Sequence, residues 1–179
     1  MILSLVLASS CGLGDIEQPR TAQEDQPTAI FVGFKREEVT KGLVSFYAEA
    51  ERAEYYQDQN LIIVYKLRFE ERGEDGIEIL SEGEAEKAVY HEDTGDAELS
   101  GYVRLESKAE NASFETSDLK YFSATQTLEG GPDTPVIARV GQRLLIKGSG
   151  FFASIGESAF TFANGVEGRL IAGDTPGTQ

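Results

Sequence analysis

The chain has 179 residues, 40% of them apolar, which suits one domain with a continuous core plus a tail. It carries 16 Lys and Arg against 31 Asp and Glu, and a formal charge of -15 opposes phosphate contacts with a polyanion, so nucleic acid is excluded as a partner. With one Cys and one His there is no ligand set for zinc, and any Ser-His or Cys-His chemistry would have to use His91 in the turn-like segment Tyr90 to Gly95, where a solvent-exposed loop histidine is the expectation.

Residues 1–10, MILSLVLASS, are an apolar run ending in small residues, too short to span a bilayer as a helix. They read as the end of a secretory signal. Ala8-Ser9-Ser10-Cys11 resembles a bacterial lipoprotein cleavage box, with Ala8 where that pattern prefers Leu, and it implies a lipidated Cys11 after cleavage. Residues 11–28, rich in Gly, Gln, Pro, Asp and Glu, read as a flexible tether, residues 29–172 as the folded domain, and residues 173–179 as a disordered tail.

Within the domain nearly every segment has period two. Leu61, Ile63, Tyr65, Leu67 and Phe69 alternate with Ile62, Val64, Lys66, Arg68 and Glu70; Ala97, Leu99, Val103 and Leu105 share one side of the next clear strand, opposite Glu98, Ser100, Arg104 and Glu106. Turn residues separate these strands at 58–60, 73–76, 93–96 and 130–133, and Asn164-Gly165 is read as a further turn. Ala and Glu in Tyr47 to Tyr55 favour a helix, but the small residues at 48, 50 and 53 also suit a bulged strand. Self-comparison decides for the strand. Ala50 to Tyr55 matches Ala85 to Tyr90 at an offset of 35, Thr116 to Tyr121 follows at 31, a further copy lies at Gly148 to Ala153, and Leu99 and Val103 align with Phe162 and Val166 at 63. A repeated strand-turn-strand unit of this length predicts an all-β fold, an elongated jelly-roll-like sandwich of two sheets with open edges. No phosphate loop, dinucleotide turn or other cofactor motif is present.

The ordered set Ala50 to Tyr56, Gly95 to Val103, Thr134 to Ile137, Ile146 to Phe151 and Phe160 to Gly168 resembles the periplasmic lipopolysaccharide-export proteins of the LptC and OstA-like (LptA) type, over about residues 30–170. The resemblance implies a twisted, open antiparallel β-jelly roll, no catalysis, and an interior that takes the acyl chains of lipopolysaccharide or a related glycolipid. Leu67, Ile79, Leu99, Val103, Leu105, Phe114, Ile146 and Phe162 are the residues expected to line that interior. It also implies partners: inner-membrane ABC transporter subunits and a periplasmic bridge protein of the same fold, joined through an edge strand that holds Phe160, Thr161, Phe162, Ala163 and Val166. The location implied is the periplasm, anchored through lipid at the inner membrane in preference to the outer. Local bases such as Arg104 or Arg143 would at most assist with head groups. Without the resemblance the same apolar faces read as ordinary core, and the alternative is a structural or surface lipoprotein with a dry β-sandwich that binds protein or glycan through its loops.

Overall fold

A computed structural model describes residues 26–157 and 159–170. The expected leader, Cys11, most of the tether and the C-terminal tail lie outside the described residues. The rest is one antiparallel sheet of ten strands: β1 (Ala29–Thr40), β2 (Leu43–Tyr56), β3 (Leu61–Arg72), β4 (Ile79–His91), β5 (Ala97–Ser107), β6 (Ala112–Phe122), β7 (Thr127–Glu129), β8 (Val136–Val140), β9 (Leu144–Ser154) and β10 (Ala159–Leu170). Neighbours in sequence pair in space as far as β6. Beyond it, β7 and β8 together fill one place between β6 and β9, and β10 closes the series. The elongated, repeated strand-turn-strand architecture is as expected, with one difference. The two faces of the core belong to a single sheet, not to two.

A line of irregular residues explains how one sheet makes both faces. Gly33 in β1, Lys66 in β3, Gly101 in β5 and Gly150 in β9 all have positive φ, between 58° and 88°. The pairing registers place Gly33 opposite Glu51, Lys66 opposite Glu86, and Gly101-Tyr102 as a one-residue bulge opposite that same Glu86, so these residues form a transverse fold line. Across it the inward parity changes. Ala50 and Ala53 on β2 are both buried, as are Ala85 and Ala88 on β4, although a spacing of three in a flat strand would put them on opposite faces. Each strand turns over at the line, and the two halves of the sheet share one core: Ala50, Ala85 and Val103 from one half, Ala53, Val64, Ala88, Leu99 and Leu119 from the other.

Tyr47 to Tyr55 lies inside β2, so packing overrides the helix propensity of its Ala and Glu, and the small side chains of Ala48, Ala50 and Ala53 are buried in the interior. Asn164-Gly165 does not turn. It is a bulge inside β10, where the register with β9 shifts and a left-handed Gly165 is free of contacts at the sheet edge. His91 is the last residue of β4, half-buried, with Nε2 3.9 Å from Glu98; it is a strand residue and not a loop histidine.

Candidate functional site: the inner face of the folded sheet

Directly paired residues share a face, so the register can be followed across the sheet. One inner row runs Arg36, Ala48, Phe69, Gly83, Leu105, Phe114, Ala138, Ile146 and Gly168. Beyond the fold line another runs Phe31, Ala53, Val64, Ala88, Leu99 and Leu119. Large and small side chains alternate along the first row except where Leu105 meets Phe114, and Phe69 lies so closely over Gly83 that a Cβ there would be 2.5 Å from Cζ of the ring.

The eight residues expected to line the interior divide into three groups. Leu99 and Val103 are fully within the core, with Val103 at 0% exposure. Leu67, Leu105, Phe114 and Phe162 are half-buried and pack against that core from its margin. Ile146 is half-buried on the inner row beside Ala138, whereas Ile79 sits at the start of β4, half-buried and outside the core cluster. The marginal aromatic residues cluster: the Phe114 ring lies 5.1 Å from Phe151 and 5.3 Å from Phe160, and Phe162 lies 5.5 Å from Phe151 and 5.9 Å from Phe160. Phe34, Phe69 and Phe151 belong to the same surface and were not expected there. The signal for Phe151 was the repeat itself, because it stands in the Gly148 to Ala153 copy where Ala53 and Ala88 stand in theirs.

The inner face ends at two unpaired edges. Among the described residues β1 pairs only with β2 and β10 only with β9, and each strand is twelve residues long, so each presents an outer row of backbone donors and acceptors with no partner among those residues. Val32 on β1 and Leu170 on β10 are 84% and 75% exposed. Phe160, Thr161, Phe162, Ala163 and Val166 all lie on β10, and the two phenylalanines turn inward while the other three are exposed.

The outer face differs sharply. One outer row reads Lys35, Glu49, Arg68, Glu84, Arg104, Glu115, Ile137, Lys147 and Glu167, so charge alternates in sign across nine positions with a single interruption. Arg68 Nε stands 3.8 Å from Glu84, and Arg139 Nη1 donates to Glu115 Oε1 at 2.7 Å. Arg104 sits in this row and donates to Glu106 at 3.2 Å, and Arg143 lies in the β8–β9 turn, so neither base faces the interior. The ammonium of Lys108 donates to Glu106 and Glu82, and the first of these bonds holds the Glu106 carboxyl below its ordinary range. Farther along, Glu54 is buried on the outer side: Tyr56 and Tyr65 donate to its Oε2 at 3.0 and 3.3 Å, and Arg52 lies 2.6 Å from Oε1. Burial first and Glu54 second push both phenols up.

At the fold line, where β7 gives way to β8, the segment 130–135 loops out. Asp118 holds it: Thr134 Oγ1 donates to Oδ2 at 2.7 Å and the Gly131 N–H to Oδ1 at 3.3 Å. The loop backbone also bonds β9, from Gly130 N to Phe151 O and from Gly150 N to Gly131 O. The wall stays closed where the strand breaks. Among the described residues no helix is long and apolar enough to cross a membrane, and no three His, Cys, Asp or Glu side chains gather in a way that could hold a metal ion. The inner face offers apolar surface with two margins left unpaired among the described residues.

A family model described as lipopolysaccharide-assembly, LptC-related, matches residues 1–171. No curated protein matches the chain.

Proposed function

The chain belongs to the LptC-related lipopolysaccharide-assembly family and is a non-catalytic periplasmic component of lipopolysaccharide export; from this premise we propose that it takes lipid acyl chains onto the inner face of its folded sheet and passes them to a neighbouring module of the same fold. The observation that carries this reading is the margin of half-buried apolar side chains, Leu67, Leu105, Phe114, Phe160 and Phe162, around a small fully buried core and leading to an unpaired edge. An acyl chain laid along that margin recovers about 25 cal/mol per Å² taken from water, without any catalytic group. Val103 and Phe151 are already sealed, so the chain lies along the margin and does not replace the core.

Handover uses β10. Its free backbone row accepts a strand of the next module by β-augmentation, and β1 offers the equivalent edge to an inner-membrane transporter subunit. Cys11 supplies the membrane attachment, with two or three acyl chains needed for a stable anchor. Anchoring at the inner membrane keeps the module beside the transporter.

A photo-crosslinking residue at Leu105 tests the trough, with one at Ser100 on the outer face as control. Lipopolysaccharide adducts are expected at 105 and absent at 100. Blank results at 105, 114 and 162 together would leave the dry-sandwich alternative standing. Mass spectrometry of the mature N-terminus tests Cys11, with a diacylglyceryl cysteine as the expected first residue.

A further inference from the structure

We infer that Arg36 is the head-group anchor of the inner face, a contact for a phosphate monoester on the amphiphile whose chains occupy the trough; this rests on the lipid-carrying reading above. Register gives the first ground. Phe34 and Arg36 on β1 pair with the buried Ala50 and Ala48, so both point inward. Every other Lys or Arg within the described strands falls on an outer row, at the fold line as Lys66 does, or, as Arg72 does, at a strand end beside the outer-row Glu70. Among the described residues Arg36 is the one strand cation on the apolar side. The sequence Lys35-Arg36-Glu37-Glu38 hides this, because it reads as a solvated charge run.

Position gives the second ground. Arg36 lies on an edge strand, next but one to Phe34, and pairs with a residue as small as Ala48. Its Cζ stands 5.5 Å over the ring of Tyr90. Tyr90 belongs to the other half of the sheet, on the inner row of Tyr55, Ile62 and Ala97. The cation therefore reaches from one half to the other at the margin of the trough, and the ring orients it by cation–π attraction while leaving its N–H groups free to donate.

The present partner is weak. Arg36 Nη2 donates to Glu38 Oε1 at 2.7 Å, with side chains 41% and 52% exposed. An exposed pair two residues apart is weakened by solvent and salt, and a phosphate brings more charge and the two-oxygen geometry that a guanidinium fork matches. In a chain of charge -15 an anionic head group needs a local cation, and at physiological salt fields are screened beyond about 8 Å. Arg36 stands where the head group of a chain lying on Phe34 and its neighbours would emerge.

The test is equilibrium binding of the full chain to three probes: lipid A bearing its phosphates, the same lipid A after enzymatic dephosphorylation, and inorganic phosphate. The wild type is expected to prefer the phosphorylated lipid by roughly tenfold, the scale of a charged hydrogen bond. Arg36→Gln should erase that preference without changing affinity for the dephosphorylated lipid, and Arg36→Lys should restore part of it. Glu38→Gln, which removes the competing carboxylate, should strengthen binding of the phosphorylated lipid alone; it carries the test by itself if Arg36→Gln does not fold. Inorganic phosphate at millimolar concentration should not displace the lipid, and displacement would overturn the head-group assignment in favour of a free-phosphate site. Equal loss for both lipids, or no loss, in Arg36→Gln would overturn the proposal while leaving the trough intact. Wild-type protein that binds neither lipid would overturn the lipid-carrying reading and this contact with it.

Discussion

At Gly83 the inner row has no room for a single carbon. A Cβ there would lie 2.5 Å from Phe69 Cζ and 2.8 Å from Leu105 Cδ2, so the ring that covers the glycine would have to leave its place between β2 and β4. Gly83→Ala is therefore expected to cost about 1–3 kcal/mol in urea unfolding, as overpacking does. Gly33→Ala is the informative contrast: nothing lies within 4 Å of the new carbon, but φ is +65°, and the left-handed backbone alone should cost about 1–2 kcal/mol. Titration is a second residue-scale lever. Lys108 chiefly, and Arg104 with it, hold the folded Glu106 carboxyl below its ordinary value. A depressed folded pKa contributes stability that is complete above the unfolded value of about 4.3 and is lost as pH falls through the folded one. Glu106→Gln should thus flatten the stability profile below about pH 5 and cost about 0.5–1 kcal/mol at pH 7, measured by urea midpoints across that range.

At the scale of the strand, the repeated pattern carries more than pairing. Ala50, Ala53 and Tyr55 on β2, Ala85, Ala88 and Tyr90 on β4, Thr116, Leu119 and Tyr121 on β6, and Gly148, Phe151 and Ala153 on β9 have one spacing, three and then two, and in each set the first pair spans the fold line. The repeat was legible in the sequence, and so were strand character, the inward set Leu99, Val103 and Leu105, and the edge position of β10. The turning-over was not, because period two was extended straight through each strand; in β5 the bulge at Gly101-Tyr102 hides it by adding a residue, which leaves Leu99 and Val103 at an even spacing. The outer ladder was equally invisible, since it exists only once β1 to β6 and β8 to β10 are set in register. It also fixes that register, because a one-residue slip would turn the ladder towards the core. Glu84→Lys, placing a third cation between Arg68 and Arg104, is expected to destabilise the fold by about 1–2 kcal/mol in low salt, with a smaller loss in 0.5 M salt, at roughly half that cost. Adding Arg68→Glu should recover part of the loss, a coupling that urea denaturation of the four-member cycle measures directly.

For the whole molecule, the consequence of folding one sheet on itself is that two edges, β1 and β10, have no partner strand among the described residues, and whether they join modules can be separated from whether they hold the fold. Successive N–H groups along a regularly paired strand point in opposite directions, so of the adjacent exposed residues Gly168 and Arg169, in the unbroken register beyond the bulge, one donates towards β9 and the other away from it. Proline removes a donor at either place. Gly168→Pro and Arg169→Pro should therefore differ in kind: one breaks a rung of the β9–β10 ladder and lowers the unfolding midpoint, while the other leaves the midpoint near that of the wild type and removes a donor that only a partner strand could use. If β10 hands lipid onward by β-augmentation, the variant with the unchanged midpoint should lose co-purification with its neighbouring module and still bind lipid A. Retained assembly in that variant, with the fold intact, would place the junction elsewhere and leave β10 as an edge with no partner.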